Sequence, residues 1–189
     1  MARIVLVTGG CRSGKSRYAQ QLAESLPAPR LYVATCQPGD EEMRERVRRH
    51  RQSRAGRGWE TAEEPIRVVE LLRRNDPFRV VLVDCLTLWV ANLMERCAPV
   101  GQSLDEDTLA ERCESLMAAA RLRRGTVILV TNEVGMGIVP ESVLARKFRD
   151  LMGRSNQVIG AQADQVVLMA CGIPLVLKGS QDGDVGADD

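Results

Sequence analysis

Eight residues near the amino terminus, Gly9-Gly10-Cys11-Arg12-Ser13-Gly14-Lys15-Ser16, have the types and spacing of a phosphate cradle, G-x-x-x-x-G-K-[ST]. Glycines let the backbone wrap tightly enough to aim several N–H groups at phosphate oxygens, and a following helix N-terminus adds positive potential. The context fits. Ile4-Val5-Leu6-Val7 leads in as a strand, and Ala19, Leu22, Ala23 and Leu26 lead out at i, i+3, i+4 and i+7, the spacing of one helix face. Lys15 is expected to reach the β- and γ-phosphates, and the Ser16 hydroxyl to sit on Mg²⁺. The chain is therefore read as binding a nucleoside triphosphate.

Three further groups can serve that nucleotide. Val80-Val81-Leu82-Val83-Asp84 is an apolar run ending in a carboxylate. An acid that merely ends a strand is common, but beside a phosphate loop it reads as meeting Mg²⁺ or its water shell. Thr131-Asn132-Glu133 follows another apolar run, with Gly135 and Gly137 loosening the chain before Pro140. There Asn132 and Glu133 either contact substrate or cap the turn. The third group is His50, the chain's one histidine, in a segment where Arg44, Arg46, Arg48, Arg49, Arg51, Arg54 and Arg57 stand against Glu45. Met43, Val47 and His50 share a helical face, so on the residues alone a packed imidazole is the plainer reading. The alternative is a nucleophile, kept neutral by cationic neighbours that also hold a phosphate against it.

Positioning these groups takes a sheet whose carboxyl ends meet. Strands are expected at Ile4–Val7, Leu31–Ala34, Val80–Asp84, Val127–Thr131, Val166–Ala170 and Leu175–Leu177, mostly unalternating apolar runs suited to burial on both faces. Helices are expected at Ser16–Leu26, Asp40–Arg54, Pro65–Arg74, Leu86–Arg96, Asp105–Arg123 and Pro140–Gly160. In the fifth, Leu109, Cys113, Leu116, Met117 and Ala120 form a packing stripe; in the last, Pro140 suits the first helical position. The pattern predicts an α/β fold of the P-loop NTPase (RecA-like) kind. Its sheet is mostly parallel with helices on both faces, ending in an antiparallel hairpin turning at Cys171-Gly172-Ile173-Pro174.

The 189 residues fit one domain, 1–179, followed by an acidic, glycine-rich tail, 180–189, expected to be disordered. No apolar stretch approaches the roughly 20 residues of a membrane span, and since residue 1 runs directly into the first strand no signal peptide is expected. Six cysteines without a C-x-x-C pair argue against zinc and for reduced thiols in the cytoplasm. The net charge of +1 points to no partner class.

The order of motifs resembles one family closely. It is carried by Val7 through Ser16, Tyr32-Val33-Ala34-Thr35, Arg46 to Arg51 with His50, Trp59 through Glu63, Thr131 through Pro140, Leu144 to Asp150, and Gly153-Arg154-Ser155-Asn156-Gln157. These resemble the bifunctional adenosylcobinamide kinase / adenosylcobinamide-phosphate guanylyltransferases of coenzyme B12 biosynthesis. The resemblance covers residues 3 to about 178 and implies two reactions on one polypeptide. A nucleoside triphosphate, ATP or GTP, phosphorylates adenosylcobinamide. GMP then passes from GTP, through a guanylyl-histidine, to adenosylcobinamide phosphate. By the same resemblance His50 is the guanylylated residue, Gly9 to Ser16 the GTP-binding loop, and Ala34-Thr35-Cys36 a second nucleotide contact. Arg51, Glu63 and Asp84 lie near the nucleotide, Mg²⁺ is the cofactor, and the assembly is a homotrimer. Some relatives have two adjacent histidines where this chain has Arg49-His50, which leaves one residue as nucleophile.

A monofunctional small-molecule kinase would need the phosphate loop and Asp84 but not His50. A nucleic-acid-binding ATPase could use the arginine-rich helix, but no aromatic residue between Tyr32 and Trp59 offers bases a stacking partner, so no nucleic acid is expected. A GTPase switch would carry N-K-x-D, which the sequence lacks.

Overall fold

A computed structural model describes residues 1–37, 41, 45, 48, 52, 54–74, 76–98 and 103–180. His50 and Arg51, most of the predicted 40–54 helix, and the tail from 181 onward lie outside the described residues. Glu41, Glu45, Arg48, Gln52 and Arg54 have helical backbone.

Among the described residues seven strands form one sheet: β1 (Arg3–Gly9), β2 (Arg30–Ala34), β3 (Trp59–Glu63), β4 (Val80–Asp84), β5 (Thr126–Val130), β6 (Gln165–Ala170) and β7 (Ile173–Lys178). Their order is β3-β2-β4-β5-β1-β6-β7. All neighbours are parallel except β6 and β7, which form the expected antiparallel hairpin. Its turn is only Cys171-Gly172, both at positive φ (52° and 77°), while Ile173 and Pro174 already pair with Ala170 and Met169. Positive φ at both central positions gives the turn twist that matches the strands.

The helices are α1 (Lys15–Ser25), α2 (Val68–Leu72), α3 (Leu86–Cys97), α4 (Glu106–Leu122) and α5 (Val143–Gln162). Alternation along the central strands sends side chains to two cores. Val5, Val7, Val80, Leu82, Ile128 and Val130 meet Ala19 and Ala23 of α1 on one face. Ile4, Leu6, Val81, Val83, Val127 and Leu129 meet α2 to α5 on the other. The α4 stripe is buried throughout, as its spacing required. Arg30, at the start of β2, closes the C-terminus of α1 by donating to the carbonyls of Ala23 (2.8 Å), Glu24 (2.9 Å) and Leu26 (2.5 Å), at the end where a helix runs out of its own donors.

Three elements depart from the sequence reading. Strand β3 was not expected: Trp-Glu-Thr-Ala-Glu has no apolar run, because an edge strand pairs on one side only and faces water. Helix α2 is shorter than 65–74, because Glu64 Oε1 accepts from the N–H groups of Ile66 (3.2 Å) and Arg67 (2.7 Å), holding that stretch in a turn. Helix α5 starts at Val143, not Pro140. Ser142 is its N-cap, accepting from the Ala145 N–H at 3.4 Å, and Pro140 instead accepts from Arg146 through its carbonyl at 2.9 Å.

Candidate active site

The strand register puts the candidate residues in one row. Glu63 pairs with Ala34, Ala34 with Asp84, Asp84 with Val130, and Val130 with Val7. These are the carboxyl ends of β3, β2, β4 and β5 and the last stretch of β1, and the phosphate loop opens two residues further on. Period two places Asp84 on the same face as Val80 and Leu82, the α1 face, whose helix begins at Lys15. One strand separates β4 from β1, so their axes are roughly 10 Å apart; β3 lies two strands further out, roughly 19 Å from β1.

The phosphate loop is braced from both sides. Gly9 ends β1 at φ 149°, and a Cβ there would come within 2.5 Å of the Met169 carbonyl oxygen and 2.8 Å of Ser13 Oγ. Gly14, at φ 96°, is the N-cap of α1 and faces Gly172 of the hairpin, whose Cα would lie 3.3 Å from an added Cβ. The Gly172 N–H donates to the Ser13 carbonyl at 3.0 Å, and the Glu133 N–H to the Gly9 carbonyl at 3.0 Å. Gly10 has open space around it, and Cys11 and Arg12 are exposed, Arg12 at φ 55°. Lys15 is buried and its Nζ donates to the Gly10 carbonyl at 2.8 Å. With no acidic residue in its first turn and no side chain capping it, α1 presents the positive end of its dipole to the loop. Ser16 is the second residue of that helix.

The far half of the row is tied together by Thr35. Its hydroxyl donates to the Cys85 carbonyl at 2.7 Å and accepts from the Cys85 N–H at 2.8 Å. Its N–H donates to the Asp84 carbonyl at 3.3 Å, and its carbonyl accepts from Asn92 at 2.9 Å. Tyr32 donates its phenol to Asp84 Oδ2 at 3.0 Å. Burial, helped by the Asp84 carboxylate, pushes that phenol well above its ordinary value, so it stays a donor. Burial also raises the Cys85 thiol. The Arg54 guanidinium lies 3.5 Å over the Tyr32 ring, and Trp59 meets the same ring edge-on at 6.2 Å. Cys36 is half-buried and Glu63 exposed at the rim.

The sequence profile described as cobinamide kinase / cobinamide phosphate guanyltransferase matches residues 5–177. The chain belongs to that family. It is 43% identical over 185 residues to the bifunctional adenosylcobalamin biosynthesis protein CobU of Escherichia coli K12, covering 93% of this chain and 99% of that one. Identity to CobP of Pseudomonas aeruginosa, of the same description, is 41% over 175 residues, 92% and 96% of the two chains. Among solved structures, the RadB recombinase overlaps with a TM-score of 0.48 at 17% identity, covering 88% of this chain and 73% of that one. The structure gives the 131–157 stretch a physical sense. Glu133 caps its own turn, its Oε1 accepting from the Gly135 N–H at 3.0 Å. Asn156 accepts from the Thr131 hydroxyl at 2.8 Å and donates to the Asn132 carbonyl at 3.0 Å, while Thr87 accepts from the Asn132 N–H at 2.8 Å. Thr87, Arg54 and Tyr32 carried no sequence signal for this role, since each works by a contact between distant segments.

Proposed function

We propose that this chain phosphorylates the aminopropanol hydroxyl of adenosylcobinamide with ATP or GTP, and then transfers GMP from GTP to adenosylcobinamide phosphate, giving adenosylcobinamide-GDP. The observation that carries the reading is the row at the carboxyl end of the sheet. It gathers the phosphate loop, Asp84 and Glu63 on the α1 face of a chain that the family profile matches almost end to end. In the first step Lys15 and the loop N–H groups neutralise the β- and γ-phosphates as the substrate oxygen bonds to the γ-phosphorus and the bridging oxygen leaves.

Ser16 and Asp84 fit Mg²⁺. Both offer hard oxygens, and Asp84 has Oδ2 taken by Tyr32, which orients the carboxylate. When bound there, Mg²⁺ supplies charge that offsets the negative charge growing on the phosphoryl oxygens. Ala34, Thr35, Cys36 and Glu63, at the far end of the row, serve as the second nucleotide contact, with Thr35 holding its shape from within.

In the second step the His50 imidazole attacks the α-phosphorus of GTP, a P–N bond forms, and the bond to pyrophosphate breaks. An oxygen of adenosylcobinamide phosphate then attacks the same phosphorus and releases the imidazole. Arg51 joins the loop in binding the nucleotide. A homotrimer acting in the cytoplasm completes the reading. Its support is an apolar surface, with Met136, Ile138, Val139, Val143 and Leu144 all between 61% and 97% exposed, the kind of patch that self-association covers. No helix among the described residues is long and apolar enough to cross a membrane.

The test uses GTP labelled at the α-phosphate. The wild-type chain should acquire an acid-labile label, and His50→Asn should lose both the label and the adenosylcobinamide-GDP product while still phosphorylating adenosylcobinamide. A labelled His50→Asn chain would refute the nucleophile. Loss of both activities from folded His50→Asn would move His50 into general nucleotide binding.

A further inference from the structure

The end of the sheet away from the phosphate loop carries a basic cavity of about 610 Å³. Helix α2 ends at Leu72 and hands over to Arg73 and Arg74; α4 ends at Leu122 and hands over to Arg123 and Arg124; Arg79 leads into β4. All five arginines line the cavity, against one carboxylate, Asp76. That carboxylate is already committed. It forms a two-point ion pair with Arg123, whose NH1 also donates to the carbonyls of Leu72 at 3.2 Å and Arg74 at 3.3 Å. Arg123 is only 7% exposed, and its Nε is a buried donor with no partner among the described residues. The side chains of Arg73, Arg74, Arg79 and Arg124 make no hydrogen bond or ion pair among the described residues.

Four uncompensated guanidiniums around one concavity repel each other, and nothing in the fold requires them to converge. That convergence points to a bound anion. Planar guanidiniums with forked donors suit phosphate oxygens, and several around one cavity suit linked phosphates better than a single carboxylate. We propose that this cavity binds a compact polyphosphate group, free or carried by a nucleotide, at a site separate from the phosphate loop. The five residues of β4 place the two sites at opposite ends of the sheet, roughly 13 Å apart along the strand alone.

Equilibrium dialysis with ³²P-labelled inorganic tripolyphosphate, at an ionic strength of about 0.15 M, tests this. The wild-type chain should bind two equivalents: one lost in Lys15→Ala, the other weakened at least tenfold in Arg74→Gln/Arg124→Gln. Both arginines are exposed, so the double variant should melt within about 2 °C of wild type. In Lys15→Ala, displacement of the remaining equivalent by ATP would support a nucleotide as carrier, and its persistence a non-nucleotide polyphosphate. An isotherm for Arg74→Gln/Arg124→Gln matching wild type, or no binding to Lys15→Ala, would overturn the proposal. So would binding of a single-stranded oligonucleotide with no saturable tripolyphosphate equivalent beyond the Lys15-dependent one. A Lys15→Ala isotherm identical to wild type would instead count against the phosphate-loop assignment, so the two failures are distinguishable.

Discussion

Replacing Thr35 by valine keeps the shape of the side chain and removes its hydroxyl. Thr35 is fully buried, so no water can substitute. The hydroxyl makes two bonds to one residue, but the two losses are unequal. The Cys85 carbonyl also accepts from the Trp89 N–H at 3.2 Å, so it keeps a partner. The Cys85 N–H keeps none in the structure. An orphaned buried donor costs about 2 kcal/mol and the lost carbonyl bond about 1, together about 3 kcal/mol. In a domain of this size that lowers Tm by about 6–12 °C. Thr35→Ser retains the hydroxyl and gives up a buried methyl, about 1 kcal/mol. Urea unfolding followed by tryptophan fluorescence (Trp59 and Trp89 are the reporters) should rank wild type above Thr35→Ser above Thr35→Val. The kinase rate should fall in Thr35→Val, because the peptide after Asp84 loses the tether that fixes its carboxylate beside Tyr32. A valine variant as stable as the serine variant would refute the reasoning, since it would make the methyl, not the hydroxyl, the useful part of Thr35.

Other outcomes follow from the same contacts. Lys15→Ala should slow both phosphorylation and guanylyl transfer by about 10²-fold in steady-state assays, as expected for one directed charge lost from a closed site; near wild-type rates would remove Lys15 from the chemistry. Burial pushes the Cys113 thiol up to about 11, while Cys11 and Cys171 are exposed, so alkylation near pH 8 followed by mass mapping should modify the latter two and spare Cys113 until the chain unfolds. The Asp164 carboxyl is held below its usual range: burial opposes this, but the Arg121 bond at 2.6 Å and the Ile4 N–H at 2.7 Å outweigh it. Its depressed folded value contributes stability above the unfolded value of about 3.9, lost as pH falls through the folded one. The stability gap between wild type and Asp164→Asn, measured by urea midpoints, should therefore shrink from about pH 6 to about pH 2.

Much of the site was legible because its signals are local. The phosphate loop, the strand ending at Asp84 and the polar run after β5 each occupy a short stretch whose pattern states its own conformation. Strand β3 was not legible, since an edge strand needs no apolar alternation, although Glu63 at its end had been singled out by resemblance. The row from Glu63 to Val7 was not legible either. Each strand end can be read from sequence, but their common level depends on four separate pairings. Arg54 shows the same limit: within an arginine-rich segment nothing in the sequence distinguishes the guanidinium that lies on Tyr32 from its neighbours.

The position of the braces bears on what the 131–157 stretch does. In sequence, Thr131, Asn132 and Glu133 look like groups delivered to a substrate. In the fold, Glu133 holds Gly9 through its N–H and its own turn through its carboxylate. Asn132 is gripped through its N–H by Thr87 and through its carbonyl by Asn156. On the opposite side the hairpin clamps Ser13, and β6 leaves no room for a side chain at Gly9. The phosphate end of the site is thus held by neighbouring strands and loops on both flanks, whereas β2 and β3 reach it through β4, β5 and the far end of α1. Phosphoryl chemistry depends on fixed donors around the transferring group, and the polar network is concentrated where that fixity matters. Asn156→Ala should therefore loosen the cradle without touching a ligand. The expected signature is a fall in both kcat values larger than any rise in KM, with binding of the corrinoid substrate unchanged. A change confined to corrinoid affinity would instead make the stretch a substrate contact.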